Sequence, residues 1–340
     1  MKGGGVLYPE KIFYEPAALD YELGKYLADK FGNVPWIPVE SHNNIEQLRK
    51  NPNKEFTRMK KHLVIGVRKS LKYTPNRKVS DFLVPYTSSG CSAMCLYCYL
   101  VCNYNKCAYL RLFVNREQMM DKLLKTANHS DKDIVFEIGS NSDLVLENTI
   151  TGNLEWTIEN FGKSKKGFLT FPTKFDMVDP LLPLDHRGKI IMRMSVNPHE
   201  IIRKIEFGTS PLKSRIHALN RMSDFGYRVG MLIAPIVITD NWDNWKGLYA
   251  ELLEQLSDEL SQKTKKQLFI EIIFMTYSYV HCAINRDAFP NAVELFDKSL
   301  MTGRGRGKYR YREDIRAHAE QFLREQLSQK LKNIPIIYVV

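Results

Sequence analysis

From residue 81 onward, short apolar runs alternate along the chain with stretches of helical periodicity. The apolar runs, each of strand length, occupy residues 82–87, 133–139, 167–171, 189–196, 228–236 and 267–274. Amphipathic patterns lie between most of them, at 116–128, 212–225 and 242–262. Strands that are apolar throughout and are joined by helices are typical of a parallel sheet covered by helices. The pattern therefore predicts an α/β fold.

Repeated strand–helix units curl, because parallel crossovers are right-handed, but closing a barrel takes eight of them. The six units counted here therefore predict a partial (β/α)6 barrel over residues 81–300. Residues 1–80 predict an N-terminal α/β extension with a strand at 62–67. Residues 301–340 predict a C-terminal basic hairpin, a helix at 312–332 and a last strand at 335–340.

The loop after the first predicted strand, G-C-S-A-M-C-L-Y-C-Y at residues 90–99, carries Cys91, Cys95 and Cys98. With C-x3-C-x2-C spacing, three thiolates can hold three irons of a [4Fe–4S] cluster, which leaves the fourth iron free to bind a small molecule. A structural zinc site is the alternative, because Cys102 and Cys107 follow closely.

Polar side chains recur at the carboxyl ends of the later predicted strands. In chain order they are Ser140, Ser142 and Asp143, then Lys174, then Ser195 and Asn197, with Ala234 after the next strand. Singly, they have ordinary explanations, such as a helix N-cap for Asp143 or a surface position for Lys174. Because the strand ends of a barrel share one rim, their recurrence opposite the cysteine loop favours a shared pocket for a polar ligand.

The charge of the chain suits a phosphate polymer without requiring one, since its formal net charge is +11. Basic residues concentrate at 68–78 and in the glycine-rich segment 303–312. In the second segment Arg304, Arg306 and Lys308 suit phosphates and Tyr309 suits a base, with a disordered basic loop as the alternative. No apolar run could span a bilayer, no secretory signal is visible, and clustered thiols indicate a reducing compartment, so we expect a cytoplasmic protein.

Taken together, these residues resemble the spore photoproduct lyase family, radical S-adenosylmethionine (SAM) enzymes that repair DNA in spore-forming bacteria. The cysteine spacing, with Tyr97 just before the third cysteine, is that of the radical SAM superfamily. The more specific matches are F-Y-E-P-A-A-L at 13–19, S-H-N at 41–43, L-V-I-G-V-R at 63–68, F-E at 136–137, S-D at 142–143, T-K at 173–174, G-T-S at 208–210, A-P-I at 234–236 and K-Y at 308–309. They run through most of the chain.

The resemblance implies a radical SAM partial barrel and the reversal of a methylene-bridged thymine dimer, the spore photoproduct. In that reaction a 5′-deoxyadenosyl radical made from SAM abstracts a hydrogen from C6 of the lesion, and the bridge breaks. The implied cofactors are SAM and a [4Fe–4S] cluster on the three loop cysteines. The implied partners are DNA carrying a thymine lesion and a reductant protein such as flavodoxin or ferredoxin. A monomer in the cytoplasm, or in the spore core, is expected.

Residue roles also follow from the resemblance. The SAM pocket takes in Tyr97, Ser142, Asp143, Lys174, Ser195, Asn197 and Ala234. Tyr97 and Tyr99, the tyrosines near the cluster, help to return a hydrogen atom to deoxyadenosine, with simple packing as the alternative for Tyr99. The DNA-binding hairpin presents Arg304, Arg306, Lys308 and Tyr309.

The chain departs from the family at the reacting centre. The family's donor cysteine, which returns a hydrogen to the thymine radical, aligns with Ser140, whose O–H bond is too strong to replace a thiol. Cys102, Cys107 and Tyr99 are the nearest residues in sequence that could donate instead. Gly305 stands where a lesion-contacting tyrosine is expected, and the residues near Thr276–His281 also match poorly.

Three functions are therefore open. The first is a lyase of damaged DNA that works through a 5′-deoxyadenosyl radical. The second is a radical SAM enzyme of the same family with another nucleic-acid substrate or a substrate of another kind. The third is a non-catalytic zinc protein that binds nucleic acid.

Overall fold

The computed structural model of this chain describes residues 8–103, 108–238 and 245–340. Its strands are β1 (Lys11–Tyr14), β2 (Trp36–Pro38), β3 (His62–Gly66), β4 (Thr74–Pro75), β5 (Phe82–Val84), β6 (Ser88–Ser89), β7 (Met94–Cys95), β8 (Leu110–Phe113), β9 (Val135–Ile138), β10 (Phe168–Thr173), β11 (Ile190–Val196), β12 (Glu206–Phe207), β13 (Arg228–Ile236), β14 (Ile270–Phe274), β15 (Thr276–Ser278), β16 (Met301–Gly305), β17 (Lys308–Tyr311) and β18 (Ile336–Val339). Its α-helices are α1 (Glu22–Lys30), α2 (Glu46–Arg49), α3 (Phe56–Met59), α4 (Leu100–Asn103), α5 (Arg116–Asn128), α6 (Leu144–Thr151), α7 (Asn153–Gly162), α8 (His199–Ile205), α9 (Leu212–Asp224), α10 (Trp245–Glu259), α11 (Gln262–Gln267), α12 (Tyr279–Ala288) and α13 (Glu313–Lys330). Within the described residues, no helix is both long and apolar enough to cross a bilayer.

The largest sheet has the strand order β18-β14-β13-β11-β10-β9-β5-β4. The run from β5 through β9, β10, β11 and β13 to β14 pairs in parallel, in the order of the chain. These strands lie on the six apolar runs of the sequence, so the predicted parallel sheet is confirmed.

Burial explains why these strands are mostly apolar, since every residue of β11 is buried, including its two polar residues Arg193 and Ser195. Helices α5 and α9 lie at the positions that the amphipathic patterns predict. The end of α9 is followed by Gly226, whose φ of 86° suits a glycine that terminates a helix. The start of the helix predicted at 242–262 lies outside the described residues, which contain its turns from Trp245 onward.

A second sheet, of order β2-β1-β3-β8-β6, includes the strand predicted at 62–67. Its strands β6 and β8 follow residue 80 and flank the cysteine loop. The cysteine loop therefore leaves one sheet and returns to it beside the barrel rim. The domain boundary at residue 80 stays a prediction.

The C-terminal segment forms the predicted basic hairpin, helix and last strand. Strands β16 and β17 pair antiparallel, and β15 is the third strand of this small sheet. The two turn residues, Arg306 and Gly307, have φ values of 51° and 67°, as a type I′ hairpin turn requires. After α13, β18 pairs in parallel with β14 at the edge of the barrel sheet.

Candidate active site

The backbone of the cysteine loop, residues 90–99, is fixed at its first residue and again at its middle. Gly90 forms a parallel bridge with Ser142. Its φ is 82°, and a side chain there would collide with the Tyr109 carbonyl, so only glycine fits. Further along, β7 pairs antiparallel with β12, which places Cys95 opposite Glu206.

Side chains distant in sequence hold the carbonyls of this loop. Lys60, only 3% exposed, donates to the Cys91 carbonyl at 2.7 Å. From α12, His281 Nε2 lies 3.1 Å from the Cys98 carbonyl, and Asn285 donates to another loop carbonyl at 2.9 Å. The sequence pattern did not single out these three residues, because a lone polar side chain in or next to a helix gives no indication of its hydrogen-bond partner.

A cavity of about 450 Å³ opens beside the loop, and Cys91, Cys95 and Cys98 all line it. The cavity also brings together the predicted site residues Tyr97, Tyr99, Ser140, Ser142, Asp143, Lys174, Ser195 and Ala234. Asn197 is buried behind this wall, where its amide donates to Glu206 Oε1 at 2.8 Å.

The Asp143 carboxylate is the N-cap of α6. It accepts the first free N–H groups of that helix at 3.1 and 3.2 Å, the Thr173 hydroxyl at 2.9 Å and the Lys174 N–H at 2.9 Å. Burial raises the pKa of this carboxyl, and the donors around it oppose that rise. The ordinary N-cap explanation is therefore correct for its contacts, and Asp143 orients the start of α6 at the cavity wall.

Lys174 Nζ lies at the centre of the cavity wall. It donates to Ser195 Oγ, to Glu206 Oε1 and to the Ala234 carbonyl, each at 2.8 Å. Behind it, Arg215 donates to Glu206 Oε2 at 2.7 Å, with both side chains fully buried. Burial alone would raise the pKa of Glu206, but Lys174 and Arg215 hold this pKa well below its usual range. Two cations thus share one carboxylate, which leaves a net positive charge at the wall.

Tyr97 and Tyr99 have different environments. The Tyr97 hydroxyl donates to Glu206, and Lys174 Nζ lies 5.6 Å from the centre of its ring. Burial and the neighbouring carboxylate hold the pKa of Tyr97 well above its usual value. Tyr99 is 47% exposed, and its hydroxyl donates to the Ser140 carbonyl. Tyr97 is therefore fixed in the wall, whereas Tyr99 links the cysteine loop to Ser140 at the cavity.

The loop thiols suit a bound cation. Burial raises the pKa of Cys91 to about 12 and the pKa of Cys95 well above its usual value. Thiolates in such a site need a metal to hold them ionised. Among the described residues, no three His, Cys, Asp or Glu side chains converge on a single ion. A [4Fe–4S] cluster needs one thiolate for each of three irons, so the three separate thiols on one cavity wall fit it.

The other predicted hydrogen donors lie apart from this wall. Cys102 Sγ is 3.2 Å from Ser278 Oγ, and the residue packs against the hydrophobic cluster that contains Ile284 rather than lining the cavity. Cys107 lies outside the described residues. Of the three, only Tyr99 lies at the cavity in the part of the chain that the structure describes.

The far end of the cavity is charged. Arg193 pairs with Glu271 at 2.9 Å and with Glu137 at 3.1 Å. Lys78, from the basic segment 68–78, lines the same cavity and lies over Tyr338. The first residue of that segment is structural, since the Arg68 guanidinium lies 3.7 Å from the centre of a phenylalanine ring.

The model of the family described as spore photoproduct lyase matches residues 7–340. This chain belongs to the spore photoproduct lyase family. It is 34% identical over 327 residues to the spore photoproduct lyase of Bacillus subtilis (strain 168), which covers 94% of this chain and 93% of the relative. It is 30% identical over 339 residues to that of Geobacillus sp. (strain Y412MC61), which covers 97% and 98%.

Solved spore photoproduct lyase structures share the fold. A mutant with bound AdoMet and dinucleoside spore photoproduct superimposes with a TM-score of 0.90 at 28% identity, covering 99% of this chain and 100% of that one. The same values hold for a spore photoproduct lyase complexed with dinucleoside spore photoproduct. The predicted partial barrel is thereby confirmed. Because spore photoproduct lyases are enzymes, the alternative of a non-catalytic protein that only binds nucleic acid is wrong.

The predicted DNA-binding residues lie on the hairpin. Arg304, Arg306 and Lys308 are exposed around the turn. Tyr309 is half-buried, and its ring centre lies 4.6 Å from that of Phe296.

Proposed function

We propose that this chain is a radical SAM lyase of damaged DNA, with a [4Fe–4S] cluster on Cys91, Cys95 and Cys98. The observation that carries the proposal is that these three half-buried thiols share one cavity with the positively charged wall at Lys174. When bound, the cluster supplies the electron that cleaves SAM into methionine and a 5′-deoxyadenosyl radical.

The chain's own residues suit SAM on the same wall. The net positive charge of the Lys174, Glu206 and Arg215 group complements the carboxylate of the methionine moiety. Ser142, which directly precedes the capped start of α6, offers a hydroxyl at the rim of the cavity. The aromatic face of Tyr97 suits the adenine.

The substrate proposed is the methylene-bridged thymine dimer in DNA, since a relative binds the dinucleoside spore photoproduct in this fold. The exposed cations of the hairpin then hold the DNA backbone beside the cavity. We extend the proposal to a monomer that acts in the cytoplasm or spore core. An external one-electron donor such as flavodoxin or ferredoxin would reduce it.

A second candidate is favoured by one observation. Ser140 lines the cavity where the family's donor thiol is expected, and its hydroxyl cannot give up a hydrogen atom as a thiol does. A related lesion, or another nucleic-acid substrate whose product radical needs no thiol, would be consistent with that change.

Anaerobic reconstitution with SAM and a chemical reductant tests the cofactors. Iron and sulfide of about four each per chain, with 5′-deoxyadenosine formed, are expected. Incubation with synthetic dinucleotide spore photoproduct then tests the substrate. Thymine products support the lyase, whereas SAM cleavage without any change in the lesion overturns it in favour of the second candidate. Absence of SAM cleavage overturns both.

A further inference from the structure

The hairpin tip is bare of side chains on much of its surface. A Cβ placed on Gly303 or Gly305 would meet no atom within 4 Å, so both positions face open space. Glycine in a strand leaves room for another molecule to approach the backbone closely. Between residues 298 and 312 the sequence contains no acidic residue. The tip therefore suits a polyanion that approaches the backbone.

The tyrosines in and next to the sheet of β15, β16 and β17 are mostly buried or packed against other side chains. Tyr277 and Tyr311 are 2% and 1% exposed, and Tyr309 packs against Phe296. Tyr279 is the exception, with 61% of its surface exposed. The hairpin's own tyrosine is thus occupied by packing, while an exposed ring stands next to it.

Tyr279 is held against the turn rather than free. Its backbone N–H donates to the Gly307 carbonyl at 3.1 Å. Its ring lies so close to the Gly307 Cα that a side chain at residue 307 would collide with it. An aromatic ring fixed in this way offers a stacking face at little cost in side-chain entropy.

Tyr279 lies close in the chain to the cavity. Tyr279 follows Thr276, which lines the cavity, by three residues, a span of at most about 10 Å along an extended chain. On the other side of the ring, β15 pairs with β17 so that Ser278 lies opposite Lys308. Tyr279 therefore lies against the basic turn and within about 10 Å, along the chain, of a residue that lines the cavity.

We propose that Tyr279 stacks on a nucleobase at the gap that a lesion leaves when it enters the cavity. The proposal rests on the proposed function, which places DNA on the hairpin beside the cavity. It assigns the stacking role to a residue outside the hairpin strands. Aromatic side chains on basic surfaces bind unpaired bases in this way without reading sequence.

The test uses the full-length reconstituted protein and two DNA duplexes, each with 2-aminopurine beside the centre. One duplex is fully paired. The other, called the gapped duplex here, has two central thymines opposite abasic sites, so these thymines are unpaired. Tyr279→Ala should weaken binding to the gapped duplex by about tenfold and lose the change in 2-aminopurine fluorescence. Because Tyr279 carries no charge, the slope of log affinity against log salt should not change. Tyr279→Trp should restore both signals. Tyr26→Ala, which removes a tyrosine that is 49% exposed on α1, is the matched control and should have no effect.

Two outcomes overturn the proposal. In the first, Tyr279→Ala binds the gapped duplex as tightly as the unchanged protein. In the second, Tyr279→Ala lowers the melting temperature and Tyr279→Trp does not restore binding, which would mean that the ring only supports the turn. The gapped duplex contains no methylene bridge, so failure of the lyase assay would overturn the proposed function without affecting this result.

Discussion

Replacing Glu206 with Gln should destabilise the protein and loosen the cysteine loop. The carboxylate is fully buried and accepts from Lys174, Arg215, Asn197 and the Tyr97 hydroxyl. Gln preserves the volume and one acceptor oxygen, but it leaves two cations without a counter-charge.

The magnitude follows from the burial of the pair. Removing one partner of a buried ion pair costs about 3–5 kcal/mol, because the remaining charge is unpaired in a dry site. The Arg215 side chain is fully buried and that of Lys174 is 20% exposed, so only Lys174 can recover some hydration. We expect about 3 kcal/mol for Glu206→Gln, out of a total stability of about 5–15 kcal/mol.

Urea unfolding and iron content measure the two effects separately. With an m-value of about 3 kcal/mol/M, the midpoint should fall by about 1 M. Glu271→Gln is the matched control, since Glu271 pairs with buried Arg193 but does not contact the cysteine loop in the described residues. Both variants should lose stability, and only Glu206→Gln should retain less iron after reconstitution, because β12 pairs directly with the cysteine strand β7. A midpoint unchanged in Glu206→Gln, or equal iron loss in the two variants, would refute this reasoning.

Three further predictions concern the cluster, the DNA and the donor position. Cys95→Ala should abolish the iron signal and SAM cleavage, whereas Cys282→Ala on α12 should keep both; full cleavage by the first variant would contradict the cluster assignment. Charge reversal at Arg304 and Lys308 together should weaken duplex binding and reduce the salt slope by about 2, and an unchanged slope would exclude the hairpin as a phosphate contact. Ser140→Cys should raise the yield of clean thymine product from dinucleotide spore photoproduct in a chromatographic assay; equal yields from both proteins would mean that another donor is already in place.

Much of the fold could be predicted because it depends on local patterns. The strands of the parallel sheet are buried on both faces, so each appears as a mostly apolar run, as in Ile190–Val196, where Arg193 and Ser195 are the exceptions. Helix ends carried their own signals, such as Gly226 after α9. The two-residue strand β6 gave no such signal, because it depends on its pairing with β8. β8 lies in a run at 108–114 that is apolar except for Arg111, a signal that the predicted set of strands did not include.

The candidate site was only partly predictable for the same reason. The cysteines and the polar strand ends are visible in sequence, since spacing and position carry their chemistry. Glu206 was missed although it is the shared acceptor of the wall, because its partners Lys174 and Arg215 come from other elements. Lys60 is similar, as its target is a backbone carbonyl that no sequence pattern marks.

The resemblance predicts that serine replaces the family's donor cysteine at residue 140, and this predicted exchange would change the chemistry of the site more than its shape. The Ser140 carbonyl still accepts from the Tyr99 hydroxyl, so a phenol remains tied to the donor position across the cavity. Backbone contacts of this kind do not depend on which side chain the residue carries, so they would persist with cysteine there. If Ser140→Cys restores clean product, the surrounding site is intact and only the donor atom is missing. If it does not, the difference lies in how the substrate is presented, and the hairpin around Gly305 becomes the place to look for it.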